Sequence, residues 1–128
     1  MPIYSQPSPA PAFLPEHPVS GKILVAEDPF VGSFLRTVLQ RHGYQVVTGE
    51  AFHSSEMVRQ GRIAADVVIT NDPEAFLALA ATQPLLYIAA NPDLELASKF
   101  PACRVLRKPF RNEDLLEAVD DLAHCVVR

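Results

Sequence analysis

The sequence has few of the residues that several common kinds of site require. Its two cysteines, Cys103 and Cys125, show neither a CxxC motif nor Cys/His ligand spacing, so we expect two reduced thiols and neither a zinc site nor a disulfide framework. Lys and Arg number 11 against 15 Asp and Glu, a net charge of -4, which disfavours nucleic acid as a partner.

Long apolar runs and targeting signals are also absent from the sequence. No run approaches the length of a membrane span, and no Lys or Arg precedes an apolar stretch near the N-terminus as in a secretory signal. We therefore expect a cytoplasmic protein that does not bind membranes.

The length of 128 residues fits one domain, and a hydrophobic content of 48% is sufficient for a packed core. Six of the first twenty residues are proline, which disfavours helix and strand there. We predict a flexible Pro-rich tail over residues 1–20 and one domain over residues 21–128. The tail either docks into an aromatic groove of a partner or has no specific contact.

From Lys22 onward, short apolar runs alternate with helical periodicity, which is typical of βαβ units. The predicted strands are residues 23–26, 44–48, 67–70, 85–88 and 104–107. Predicted helices begin at Pro29, Ala51, Asp72, Asn91 and Asn112, and the first four end at Gly43, Gln60, Ala81 and Phe100. The fold class is α/β, a flavodoxin-like (βα)5 three-layer sandwich with a parallel sheet of order 2-1-3-4-5.

The ends of the predicted helices carry recognisable capping signals. Asp72 before Pro73, Asn91 before Pro92, and Asn112 are each predicted to cap the helix that follows. The histidines share no face and no ligand spacing, so we expect surface positions for them. They are His17, His42, His53 and His124.

Polar residues follow the predicted strands at the edge where sites of this architecture lie. Glu27 and Asp28 follow the first strand, and adjacent carboxylates there need a cation or hydrogen-bond donors to offset desolvation. Lys108, followed by Pro109, ends the fifth strand and can reach that acidic pocket. We expect a salt link from Lys108 to Asp28 or Glu27.

Four segments in order give the sequence a resemblance to a known family. They are ILVAEDP, DVVITN, PLLYIA and RKPF, at strands one, three, four and five. From Lys22 to its C-terminus the chain resembles the receiver domain of two-component response regulators, the CheY-like domains. The segment between strands three and four is shorter than in that family.

The resemblance implies a phosphorylation site that is degenerate. Glu27 and Asp28 match the acids that bind Mg²⁺, and Lys108 matches the lysine that bonds to the phosphoryl group, with a cis peptide before Pro109. Asn71 stands at the phosphoacceptor position, where an amide cannot serve as the nucleophile. In addition, Ala89 replaces the Ser or Thr of strand four, and Val105 replaces the aromatic residue that changes rotamer.

The leading hypothesis is a pseudo-receiver in a phosphorelay pathway, a non-enzymatic module that binds proteins without being phosphorylated. It needs no cofactor, and Mg²⁺ is expected to bind only weakly at Glu27 and Asp28. The expected partner is a histidine kinase, another receiver, an output protein or a second copy of the chain. The face formed by helix four, strand five and helix five would include Leu94, Phe100, Val105, Arg107, Asp114 and Glu117.

Two alternative hypotheses assign a chemical reaction to the site. Asp72 could accept phosphate with Lys108 and Mg²⁺, although capping is the simpler role for it. A phosphoesterase built on Glu27 and Asp28 would need a second acidic pair after strand three. A nucleotide or flavin site is disfavoured because the AEDPF turn is acidic and lacks glycine.

Overall fold

The computed structural model describes residues 21–124. The predicted tail, residues 1–20, lies outside the described residues, as does Cys125. The strands are β1 (Lys22–Ala26), β2 (Gln45–Thr48), β3 (Val67–Thr70), β4 (Leu85–Ala89) and β5 (Cys103–Arg107). The helices are α1 (Pro29–Arg41), α2 (Ala51–Arg59), a 3₁₀ helix (Pro73–Leu79), α3 (Leu94–Ala97) and α4 (Asn112–Ala123). In this range no helix combines the length and apolarity needed to span a membrane.

The five strands form one parallel sheet in the order β2-β1-β3-β4-β5, as the sequence predicts. β3 is central, and its Thr70 pairs with Ala26 of β1 at the carboxyl edge, while β4 pairs Ala89 with Arg107. Because parallel strands end at the same edge, this register gathers the residues that follow β1, β3, β4 and β5.

Two apolar layers cover the two faces of the sheet. α1 and α4 pack on one face, where Leu35, Leu39 and Leu115 are fully buried. The 3₁₀ helix and α3 cover the other face around Phe76, which is also fully buried. The prediction of a three-layer fold is confirmed. The sequences of β3 and β4 are continuously apolar because both faces of these strands are covered.

The first helix follows its sequence signals closely. Asp28 is the N-cap of α1, Pro29 is its first residue, and Gly43 adopts the left-handed φ of 106° after the helix ends. Gly61 likewise has a φ of 77° just after α2. These two glycines close their helices as predicted.

Of the capping predictions for three later helices, two are wrong, and Asp72 has its predicted N-cap position before Pro73 without a capping hydrogen bond. The side chain of Asp72 makes no cap hydrogen bond, and the segment after it is a 3₁₀ helix that ends at Leu79 rather than Ala81. α3 is capped by Asp93 rather than Asn91, since the Asp93 carboxylate accepts from two backbone N–H groups of the first turn. The first helical residue of α4 is Asn112 itself, and no side chain caps it.

One histidine prediction is also wrong. His42 is half-buried, with its Nε2 3.3 Å from Oδ2 of Asp120 on α4. The hydroxyl of Tyr44 donates to the other carboxylate oxygen of Asp120. Burial raises the pKa of Tyr44, and so does the neighbouring carboxylate. These contacts join the α1–β2 corner to α4 at the amino edge of the sheet.

Candidate functional site

The carboxyl edge of the sheet holds a cleft of about 600 Å³. Glu27 and Asp28 line it from the end of β1, and Asn71 and Asp72 line it from the end of β3. Arg36 on α1 faces the same cleft, as do residues at the start of α2. The structure therefore brings together four of the strand-end residues that the sequence singled out, and adds Arg36. Ala89 and Lys108 do not line this cleft.

The Glu27 carboxylate is the most unusual group at this edge. Its side chain is fully buried, and neither oxygen has a hydrogen-bond partner among residues 21–124. Burial raises its pKa, and so does Asp28, while the nearby ammonium of Lys108 lowers it. The Lys108 Nζ lies 3.6 Å from Glu27 Oε1, which is ion-pair distance but too long for a good hydrogen bond. The expected salt link from Lys108 thus goes to Glu27.

Asp28 has a structural role at the same place. Its Oδ1 accepts from the backbone N–H groups of Phe30 and Val31, at 3.0 and 3.1 Å, and so caps α1. The other carboxylate oxygen makes no hydrogen bond within residues 21–124. One carboxylate therefore fixes the start of α1 while keeping an oxygen for a cation.

Asn71 follows a buried threonine that organises the loop. Thr70 is fully buried, its hydroxyl donates to the Ala26 carbonyl at 2.9 Å, and it accepts from the backbone N–H of Asp72 at 2.9 Å. Asn71 is exposed and Asp72 is half-buried. Thr70 was missed at the level of sequence because a β-branched residue inside a strand is an ordinary packing residue.

On the β4 side the site lacks a hydroxyl where the resemblance implies one. Ala89 ends β4, and its carbonyl accepts the Lys108 backbone N–H at 3.0 Å. The peptide bond between Lys108 and Pro109 is cis, as the resemblance implies. The side chains at this edge of the sheet are therefore the carboxylates of Glu27, Asp28 and Asp72, the amide of Asn71, and the cations of Arg36 and Lys108.

A buried tyrosine stands beside the position that the resemblance assigns to a mobile aromatic. Tyr87 on β4 pairs with Val105 on β5, so the two side chains share one face of the sheet. The Tyr87 hydroxyl accepts the backbone N–H of Asp93 at 3.0 Å. The small Val105 is half-buried, and the neighbouring aromatic ties the loop between β4 and α3. No pattern in the sequence predicts this contact.

The donor set for a metal is small. Among residues 21–124, no group of three or more His, Cys, Asp or Glu side chains is arranged to hold a metal ion. Mg²⁺ is commonly held by one or two carboxylates, with water completing its shell. Two carboxylates are present here. The oxygens of Glu27 make no hydrogen bond within residues 21–124, and the second oxygen of Asp28 is not used in the helix cap. Lys108 competes with a metal ion for Glu27.

No protein-family model and no curated protein sequence matches the chain. Solved structures do match it. A response regulator receiver protein from Burkholderia phymatum has a TM-score of 0.69 at 20% identity, with 84% of this chain and 98% of that chain covered. The chain has the receiver-domain fold. At this level of identity the likeness concerns the fold and not the chemistry.

Two further receiver structures agree. A response regulator receiver protein from Sinorhizobium medicae WSM419 has a TM-score of 0.66 at 21% identity, covering 84% of this chain and 95% of that chain. The chemotaxis response regulator CheY4 of Vibrio cholerae has a TM-score of 0.65 at 22% identity, covering 81% and 99%. This chain therefore spans nearly the whole of these three receivers.

Of the six residues predicted for a partner face, five are at least partly exposed and one is buried. Leu94 is 58% exposed, and Arg107 and Glu117 are exposed. Val105 and Asp114 are half-buried. Phe100, however, is only 3% exposed and packs in the core beneath α3, because that helix ends at Ala97 and the chain turns inward. The α3–β5–α4 face, as we call it, therefore excludes Phe100.

Proposed function

We propose that the chain is a receiver-like signalling module that binds another protein without being phosphorylated. The observation that carries the proposal is Asn71, which follows β3 and lines the same cleft as Glu27 and Asp28. A receiver works by forming an acyl phosphate on a carboxylate, and an amide cannot form one. The proposed setting is a two-component or phosphorelay pathway in the cytoplasm, and the proposed role is non-enzymatic.

Two further features support this function. Ala89 has no hydroxyl with which to bond a phosphoryl oxygen and draw its loop inward. The loop after β4 is instead held by the Tyr87 hydroxyl, which accepts the backbone N–H of Asp93. Surfaces near that loop would keep one shape.

The α3–β5–α4 face is the proposed binding surface for a histidine kinase, another receiver or an output protein. Leu94 provides an exposed apolar contact, and Arg107 and Glu117 provide charges of both signs. An apolar anchor surrounded by charges is a common composition for a reversible protein interface. Neither nucleic acid nor a membrane is proposed as a partner.

The test uses beryllofluoride with Mg²⁺, which mimics a phosphorylated aspartate, followed by amide NMR. In the unaltered chain we expect no shifts beyond those that Mg²⁺ causes alone, and Mg²⁺ alone should bind weakly at Glu27 and Asp28. In an Asn71→Asp, Ala89→Thr double variant we expect shifts around Asp28, position 71 and Lys108. Shifts in the unaltered chain that require beryllofluoride would refute the proposal.

A second candidate function is phosphate acceptance by Asp72. One observation favours it: Asp72 lines the cleft and its side chain makes no cap hydrogen bond, so its carboxylate is not committed to the helix. With Lys108 and Mg²⁺ it would form an acid-stable, base-labile acyl phosphate after incubation with a small phosphodonor. An Asp72→Asn variant that abolishes such an adduct would establish this candidate in place of the first.

A further inference from the structure

One exposed face of α1 combines aromatic rings with a cation. Phe30 is 86% exposed and Phe34 is 46% exposed. Thr37 and Arg41 are also exposed. Residues at positions i, i+4, i+7 and i+11 lie on one face of a helix, so these four side chains form a continuous line, which we call the α1 stripe. Two large rings left in water at neighbouring positions are typical of a contact surface.

The α1 stripe is separate from both the cleft and the core. Arg36, on another face of α1, lines the cleft, while Leu35 and Leu39 are buried against the sheet. Arg41 forms no ion pair with any of residues 21–124. The stripe therefore has no role in the site described above, and its cation is available to a group outside the described residues.

The N-terminal segment of the chain joins the domain beside one end of this stripe. The Gly21 carbonyl accepts the backbone N–H of Gln45 at 3.0 Å, and Gln45 follows Arg41, the last residue of α1, by four positions. Gly21 has a φ of 125°, a value that an extended strand does not adopt, so the chain changes direction there. The chain before residue 21 therefore meets the domain next to the Arg41 end of the α1 stripe.

The sequence of that segment has a period that matches a polyproline II helix. Such a helix has three residues per turn, and Pro-rich sequences favour it. Residues at every third position therefore share one face, and one such set is Tyr4, Pro7, Ala10, Phe13 and Glu16. This face holds all the Phe, Tyr, Asp and Glu residues of the segment 1–20. It is apolar and aromatic, with one negative charge at the end nearest the domain.

The spacing along that face agrees with the spacing along α1. Glu16 and Phe13 are about 9 Å apart at 3.1 Å per residue of polyproline II. Arg41 and Phe34 are about 10 Å apart at 1.5 Å per residue of α-helix. A segment that runs back from the end of α1 thus brings Glu16 to Arg41 and Phe13 to Phe34 at the same time. Phe30 lies about 6 Å further along, within reach of the next two residues of the segment.

We propose that residues 10–16 dock on the α1 stripe of the same chain as a polyproline II helix, with the Phe13 ring against Phe34 and the Glu16 carboxylate beside Arg41. Pro-rich segments bind aromatic surfaces because their preformed conformation loses little entropy on docking. Being joined to the domain, the segment is also present at a high effective concentration, which favours its own stripe over that of a second copy. The docked segment closes this face of α1 to other molecules. It leaves the α3–β5–α4 face open, so the inference is independent of the proposed function.

The first experiment is NMR on the full chain with labelled phenylalanine rings. We expect nuclear Overhauser effects between the rings of Phe13 and Phe34 at every protein concentration. Phe13→Ser should lower the docking constant by roughly tenfold or more, since one apolar ring is no longer buried. It should therefore shift the amides of residues 30–41 and increase the relaxation of Phe34 by a soluble paramagnetic agent. Leu14→Ser is the matched control, because Leu14 is the next residue and lies on another face of the polyproline helix, and it should change neither.

Two exchanges of residues test the register. Phe13→Leu with Leu14→Phe keeps the composition but moves the ring to another face of the segment, so it should uncover Phe34. Glu16→Arg should lower the docking constant by roughly two- to fivefold, the size of an exposed ion pair. Adding Arg41→Glu to Glu16→Arg reverses both charges and should restore docking.

Three results would overturn the inference. The first is a Phe34 ring as accessible to the paramagnetic agent in the unaltered chain as the 61% exposed Phe52 on α2, which would leave the stripe open to a separate protein. The second is ring contacts that appear only between labelled and unlabelled copies in a mixed sample, which would assign the stripe to a second copy. The third is equal effects of Phe13→Ser and Leu14→Ser, or a charge reversal that restores nothing, either of which would reject the register.

Discussion

At the scale of single residues, the site is dominated by one buried carboxylate. Within residues 21–124 the Glu27 oxygens make no well-formed hydrogen bond, and the cation that offsets the burial is the ammonium of Lys108 at 3.6 Å. A buried charge with so little support reduces stability, and it persists in proteins mainly where it is used. Glu27 is therefore the residue whose replacement reports most directly on the electrostatics of the cleft.

Glu27→Gln should change the pH dependence of stability. Burial raises the pKa of Glu27 in the folded chain above its ordinary value of 4.5. Between the unfolded and the folded pKa the native state holds more protons, so the free energy of unfolding falls as pH rises through that interval. We expect the variant to gain stability relative to the unaltered chain as pH rises above 4.5.

Urea denaturation of both proteins over a pH series measures this difference. Glu113→Gln controls for the loss of one negative charge, because Glu113 is exposed and forms no ion pair with the residues that the structure describes. If Glu27→Gln and Glu113→Gln gave the same profile, the buried carboxylate would not be under electrostatic stress in the folded chain.

At the scale of elements, the loop between β4 and α3 is fixed from both ends. Its first residues follow the pairing of Ala89 with Arg107, and its last residue, Asp93, both caps α3 and donates its N–H to Tyr87. Tyr87 is 6% exposed, so its hydroxyl has little access to water and the hydrogen bond is costly to lose. The loop is therefore held by Tyr87, a residue of the core, rather than by a residue of the cleft.

Tyr87→Phe should release that loop. Removing the hydroxyl leaves the Asp93 N–H without its partner, and we expect a loss of about 1 kcal/mol in stability. Hydrogen exchange at Asp93 and in the rest of the loop should accelerate. Tyr44→Phe makes the same chemical change at the opposite edge of the sheet, where Tyr44 donates to Asp120. It should leave exchange in the loop at residues 90–93 unchanged, and equal acceleration by both variants would contradict a local tie.

At the scale of the whole molecule, the order of the strands and the residues at their carboxyl ends could be predicted from the sequence. Runs such as VVIT and LLYI are apolar because both faces of the sheet are covered, and this pattern depends on local composition. The contact of Glu27 with Lys108 followed from strand order. The Tyr44–Asp120 contact could not be predicted, because two polar residues 76 positions apart leave no local signal of their pairing.

The capping errors have a related physical cause. A polar residue before proline is often a helix cap. Where a helix begins, however, also depends on which backbone N–H groups are hydrogen-bonded by side chains of the core. Thr70 takes the Asp72 N–H, and the segment that follows forms a 3₁₀ helix. Likewise Tyr87 takes the Asp93 N–H and moves the start of α3 two residues beyond Asn91.

Leu115→Ala tests the packing of α4 on the sheet. Leu115 is fully buried in the layer shared with α1, so we expect a loss of about 2–5 kcal/mol in unfolding free energy. Leu94→Ala, at a 58% exposed position, should stay within about 0.5 kcal/mol of the unaltered chain. Chemical denaturation measures both, and a small effect of Leu115→Ala would mean that α4 is not integral to the core.

Under the proposed function, the hydrogen bond between Tyr87 and Asp93 has a consequence for how the chain would convey information. A face whose neighbouring loop is anchored in the core has no second shape to adopt, so occupancy by a partner depends on the amounts of the two proteins and their affinity. The response would then be graded with copy number instead of switch-like. Synthesis and degradation of the chain, rather than a chemical cycle at the cleft, would set the strength and duration of the signal.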